Sequence, residues 1–176
     1  MKRLATLFAC LMVLALVTSA QAKDMDGKFG VGYSQSLTGG ASGLGLNYWA
    51  GDLKIGAILG IDFFSPDGGD SETNLKLGLQ GLYAIARSND ANLNFGLRVN
   101  IGVASAAETA FGLQFDLPLE GEYFLSDHFS LYGHVGLTVT IVGEDGNPLA
   151  PGKGKGFGIG VGDGGFSGGA GFNFYF

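Results

Sequence analysis

Leu93-Asn94-Phe95-Gly96-Leu97-Arg98-Val99-Asn100-Ile101-Gly102-Val103 alternates without a break. Each odd-numbered residue is large and apolar. Each even-numbered one is glycine, an amide or arginine. Successive side chains of an extended strand point to opposite faces, so this stretch carries one hydrocarbon face and one face of glycine and polar groups. The pattern repeats on both sides of it. Leu53, Ile55, Ala57, Leu59, Ile61 and Phe63 are interleaved with Lys54, Gly56, Gly60 and Asp62. Leu75, Leu77, Leu79, Tyr83 and Ile85 are interleaved with Lys76, Gly78 and Gln80. Phe111, Leu113, Phe115, Leu117 and Leu119 alternate with Gly112, Gln114, Asp116, Pro118 and Glu120. Leu131, Val135, Leu137, Val139 and Ile141 alternate with Tyr132, His134, Thr138 and Thr140.

Eight strands follow from this period, over 28–37, 43–50, 53–64, 73–86, 92–103, 110–125, 129–142 and 165–176. Gly154 to Val161 is a candidate extension of the last strand through a bulge at Asp163-Gly164-Gly165. The connectors around Gly51-Asp52, Ser88-Asn89-Asp90 and Ser126-Asp127-His128 are tight, whereas Ser65 to Glu72 and Gly143 to Gly164 are long, glycine-rich and acidic. Short turns at one end and long loops at the other suit an up-and-down meander in a bilayer. After residue 22 no apolar run is long enough for a membrane-spanning helix, which needs roughly 20 residues.

Alternation alone does not decide which face is inside. An eight-stranded barrel has room for little more than its own side chains, and here the apolar face is bulky along five long strands. Glycine weakens a water-facing strand but fits a narrow lumen beside charged side chains. The apolar face therefore belongs outside, against hydrocarbon. Hydrocarbon in turn demands closure, since every backbone N–H and C=O must be paired. The expected fold is all-β: a closed up-and-down antiparallel transmembrane β-barrel of eight strands. Its lumen would hold Lys54, Asp62, Lys76, Arg98, Asp116, Glu120 and Glu122, with Arg98 paired to Asp116 or Glu120, because a charge is not stable in a dry interior unpaired.

Residues 1–22 read as a cleaved signal peptide, with Lys2 and Arg3 ahead of an apolar Leu4 to Val17 and an Ala20-Gln21-Ala22 cleavage site. The barrel domain is then 23–176. Cys10, the single cysteine of the 176 residues, leaves with the leader, so a disulfide framework or a cysteine zinc site is excluded. With 33 glycines against four prolines and no three-residue period, collagen is excluded too. The formal charge of −6 argues against a nucleic-acid partner.

The chain ends Phe172-Asn173-Phe174-Tyr175-Phe176, and Glu122-Tyr123-Phe124-Leu125-Ser126-Asp127-His128-Phe129-Ser130-Leu131-Tyr132-Gly133 reads as a strand, a turn and a strand. In these stretches, and in its overall pattern, the chain resembles the small outer-membrane β-barrel proteins of Gram-negative bacteria, of the kind represented by the OmpA membrane domain and OmpX. The resemblance implies an outer-membrane location, contact with membrane lipid and lipopolysaccharide, and a monomer. It also implies that Phe172, Phe174 and Phe176 form the signal read by the outer-membrane assembly machinery. It carries no biochemical activity with it.

Motifs for chemistry are weak. Gly160-Val161-Gly162-Asp163-Gly164-Gly165 has dinucleotide-motif spacing, but no helix opens after it. Gly146 to Lys153 has the wrong spacing for a phosphate loop. His128 and Ser130 could form a hydrolytic relay of the type used on lipid A, but no third residue is placed to orient the histidine. Asp67, Asp70 and Glu72, and Glu144 and Asp145, lack calcium-loop spacing. No catalytic, cofactor or metal residue is assigned. The leading expectation is a non-enzymatic outer-membrane barrel of structural or surface-interaction role. The alternatives are a narrow channel, a lipid A hydrolase, and a soluble periplasmic ligand-binding barrel. Intact-mass measurement of the exported protein should give a chain that starts at Lys23; a chain that retains residues 1–22 would contradict the leader reading.

Overall fold

A computed structural model describes residues 23–65, 67, 71–105, 109–143, 148–149, 156–160 and 166–176, with the backbone alone at 157–160 and 166. The leader 1–22, the bulge at 163–165 and most of the 146–153 segment lie outside the described residues. No helix occurs among the described residues. The strands are β1 (Phe29–Ser36), β2 (Gly43–Ala50), β3 (Leu53–Phe64), β4 (Glu72–Arg87), β5 (Ala91–Ser105), β6 (Thr109–Phe124), β7 (Phe129–Val142), β8 (Gly156–Gly160) and β9 (Phe166–Tyr175). Each pairs antiparallel with its neighbour.

The sheet closes on itself. β1 pairs with β9, from Gly30 opposite Tyr175 to Ser36 opposite Gly169. β9 pairs with the first part of β7 and β8 with the remainder: Leu137 lies opposite Phe166, and Thr138 opposite Gly160. β8 and β9 thus run end to end along β7 and together make the eighth strand of an up-and-down barrel. The last strand does begin upstream of 165, at Gly156.

The two faces are sorted as the alternation requires. Leu97 is 46% exposed on the outer surface, while Arg98 and Asp116 are each 2% exposed inside. The outer wall is a continuous surface of exposed Leu, Ile, Val, Phe and Tyr. The register places Leu against Leu and Phe along it, as at Leu59 opposite Leu77 and Phe95 opposite Leu119.

At the end that carries the tight turns, the inward face becomes apolar. Met25, Trp49, Ala84, Phe124 and Tyr175 pack into a buried cluster. Met25 reaches it because the segment before β1 folds across this end, with the Lys23 N–H donating to the Ser88 carbonyl at 3.3 Å and the Lys23 ammonium 4.7 Å above the Phe124 ring. Ile58 and Leu82 also point inward and are buried. These inward apolar groups are exceptions to the sorting expected from alternation.

The opposite, loop end is closed by backbone. The 37–42 connector turns into the lumen, where Ala41 is buried and its N–H donates to Asn100 Oδ1 at 3.1 Å. The Gly40 N–H donates to the Leu149 carbonyl at 3.1 Å, and Leu149 is itself buried over Gly102. This inward turn depends on glycines, with Gly39 at φ +118 and Gly40 at φ +108. Gly43 has φ +147, a conformation that side chains disfavour. A Cβ on Gly60 would overlap the Ser42 carbonyl oxygen that crosses it. Gly60→Val should lower the midpoint of urea unfolding in micelles, with a loss of roughly 1–3 kcal/mol from forced overpacking. Gly81→Ala and Gly121→Ala, where an added Cβ meets nothing within 4 Å, should leave the midpoint nearly unchanged.

Candidate functional site

The buried polar groups of the lumen form the one extended constellation that the described residues present. β3 aims Lys54 across the lumen at β6, which is not its neighbour in the sheet. The ammonium pairs with Glu120, and with Glu122 Oε2 at 3.0 Å. It also lies 5.3 Å from the Tyr132 ring and 5.6 Å from the Trp49 ring. Both rings offer a π face to the cation.

Glu122 is saturated. Its Oε1 accepts from the Ser130 hydroxyl at 2.6 Å, the Tyr175 hydroxyl at 2.7 Å and the Asn173 amide at 3.1 Å. Glu120 Oε1 accepts a further bond from the Asn94 amide at 3.1 Å, and its Oε2 is a buried oxygen without a bond. From Asn173 the network climbs. The Asn47 amide donates to Asn173 Oδ1 at 2.8 Å, and the Gln80 amide donates to Asn47 Oδ1 at 3.2 Å. Arg98 Nε then donates to Gln80 Oε1 at 2.9 Å.

Arg98 stands opposite Asp116 in register, yet the expected ion pair does not form. Its guanidinium turns to Gln80 and, through Nη1, to His134 Nε2 at 3.0 Å. A guanidinium can only donate, so Nε2 is the acceptor and the ring proton sits on Nδ1. Asp116 is held instead by neutral donors: the Asn100 amide at 2.7 Å, the Thr138 hydroxyl at 2.8 Å and the Gln114 amide at 2.9 Å. Diagonal reach between inward side chains, rather than the rung they share, decides the partners.

Lys54, Arg98, Asp116, Glu120 and Glu122 are thus buried in the lumen. Asp62 and Lys76 are not in this network. Asp62 is exposed and Lys76 half-buried at the loop-end rim, because β3 and β4 run on beyond the inward turn of the 37–42 connector. Reading charges from the sequence passed over the amides and hydroxyls that carry most of the bonds: Asn47, Gln80, Asn94, Asn100, Gln114 and Thr138. Their signal was present, since each sits on the even-numbered, inward face of its strand or its equivalent.

Phe172, Phe174 and Phe176 all face outward and are exposed. Phe172 stacks on Tyr33 with centroids 6.5 Å apart, and Phe174 meets Phe176 at 5.2 Å. His128 stacks on Phe174 at 5.9 Å, and its Nδ1 donates to the Tyr175 carbonyl at 2.9 Å. Ser130 is buried inside and donates to Glu122, so the two do not form a relay. Among the described residues no group of three or more His, Cys, Asp or Glu side chains could hold a metal ion.

Comparison with family models, with curated proteins and with solved structures found no match for this chain. What the geometry supplies is mechanical. Lys54 bolts β3 to β6, the amides bolt β2 to β4 and β9, and buried polar side chains line the lumen between them.

Breaking a buried pair by removing one partner costs roughly 3–5 kcal/mol, because it strands a buried charge. Lys54→Met should therefore destabilise the barrel by about that amount in reversible denaturant titration. Adding Glu120→Gln and Glu122→Gln should recover much of the loss. A Lys54→Met barrel as stable as the parent would show that the bridge contributes nothing.

Proposed function

We propose that this protein is a non-enzymatic β-barrel of the bacterial outer membrane, where it acts as a structural and surface-presenting element rather than as a pore. One observation carries the reading: the barrel is inside-out, with hydrocarbon on its exposed wall and its ions buried. Monomeric soluble proteins rarely expose a contiguous apolar patch beyond a few hundred Å², and here the apolar surface runs round the whole wall. A bilayer removes that cost. Closure of β1 on β9 suits the same environment, since lipid offers no partner to a free sheet edge.

The buried side chains of the lumen support the structural role over conduction. A conducting path would have to displace the Met25, Trp49, Phe124 and Tyr175 cluster at one end and the Ala41 and Leu149 contacts at the other. Between them stands a lattice of side-chain hydrogen bonds. In the membrane the turn end faces the periplasm, and the acidic loop segments face outward. Phe172, Phe174 and Phe176 sit together on the lipid wall, where the assembly machinery can read them before closure buries their backbone edge. The partners are membrane lipid and lipopolysaccharide, and no second protein subunit is needed to complete the barrel.

The test is fractionation and heat-modifiable migration. The protein should require detergent for extraction from the outer-membrane fraction, and its band should shift when heated in dodecyl sulfate. Deleting Phe176 should reduce the folded, membrane-inserted form several-fold. Recovery of the native protein in the detergent-free periplasmic fraction would overturn the proposal.

A further inference from the structure

At the loop-end rim, β2 and β3 part company. Their last paired residues are Leu44 and Leu59. Beyond this point the 42–43 backbone turns into the lumen, while β3 continues to Phe64 against β4 alone. The separation leaves a cleft of about 470 Å³ in the barrel wall, within the roughly 300–1,000 Å³ of small-molecule sites.

The two sides of the cleft differ in kind. Toward the outside it is bordered by Leu44, Leu59 and Ile61. Leu44 and Ile61 are 66% and 70% exposed, among the most exposed apolar side chains on the wall. Toward the barrel axis it is bordered by Asp62, Asn74 and Lys76. The register places Lys76 opposite Gly60 and Asn74 opposite Asp62, so the three polar side chains occupy adjacent inward rungs. Gly60 has no side chain, and the Ser42 carbonyl oxygen crosses the space in front of it. Asn74 Oδ1 is buried and makes no hydrogen bond. Neither Lys76 nor Asp62 forms an ion pair or side-chain hydrogen bond among the described residues.

We propose that this cleft binds an amphiphile with a hydrocarbon chain and a zwitterionic phosphate–ammonium headgroup. The chain lies along Leu44, Leu59 and Ile61. The phosphate meets the Lys76 ammonium, and the ligand's ammonium meets the Asp62 carboxylate and Asn74 Oδ1. A plain hydrocarbon would leave the polar border unused. A purely anionic headgroup would satisfy Lys76 but would face Asp62 and strand the Asn74 acceptor. An uncharged sugar headgroup would gain nothing from the cation. Phosphate–ammonium is the headgroup chemistry that uses all three side chains together. This inference rests on the outward face meeting lipid.

The experiment uses the folded barrel in maltoside micelles. It follows the side-chain amide signal of Asn74 and the backbone amides of Gly60 and Ile61 by NMR. Lysophosphatidylethanolamine should move these signals saturably, whereas lysophosphatidylglycerol of the same chain length should bind about tenfold more weakly, the scale of one lost charge-assisted contact. Lys76→Met and Asp62→Asn should each weaken binding of the first lipid by about tenfold. Equal affinity for the two lipids, or no response to either, overturns the site. So does unchanged affinity in both variants. If a variant fails to fold, the comparison of the two lipids on the parent protein decides. Each sample is also run for its heat-dependent band shift. A parent barrel that shifts but does not bind removes the cleft proposal alone, whereas a parent that shows no shift removes the membrane reading beneath it.

Discussion

Lys54 has nowhere to place its charge except on Glu120 and Glu122. It is buried on β3, and its nearest compensation lies across the lumen on β6. That pair fixes the diameter and the relative rotation of two strands that never touch through their backbones. The Ser130, Asn173 and Tyr175 groups that saturate Glu122 bring β7 and β9 into the same contact. Four strands thus converge on one carboxylate. The wall can be simple and repetitive because its shape is set from within.

Much of the barrel was legible from the sequence because a strand repeats every two residues and a narrow lumen repeats the same demand on every strand. The bounds 43–50, 53–64 and 129–142 coincide with β2, β3 and β7, since Gly51-Asp52 and the turn at 125–128 punctuate them clearly. Identities inside the lumen were legible too. Their pairing was not. Alternation states that Arg98 and Asp116 point inward but says nothing of how strand tilt shifts one rung past the next, and Arg98 ends beside Gln80 and His134. The inward turn of 37–42 was equally hidden, because Leu37-Thr38-Gly39-Gly40-Ala41-Ser42 has no periodicity to read. Parity alone points Asp62 and Lys76 into the lumen. Parity cannot report that the neighbouring strand has already left the sheet.

The two ends are closed by different means. At the turn end large side chains do the work, with Trp49, Phe124 and Tyr175 covered by Met25 from the segment ahead of β1. At the loop end main chain does it, through the Gly40 and Ala41 amides on Leu149 and Asn100. The difference follows from what each end can reach. Tight turns leave no slack to fold inward, so the side chains above them must fill the space. A longer connector can bend into the lumen, and its own N–H groups then find acceptors there. The cleft between β2 and β3 is the geometric remainder of that bend.

Asp116 takes its three bonds from Gln114, Asn100 and Thr138, on three different strands. Such a knot ties the histories of those positions together. Outside, Leu, Ile and Val are near-equivalents on an exposed apolar wall, so a lineage can drift through them one change at a time. Inside, a single exchange strands a donor or an acceptor, and an acceptable route must alter two or three positions at once. Divergence in this protein should therefore be fast and scattered on its greasy exterior, and slow and concerted along its axis.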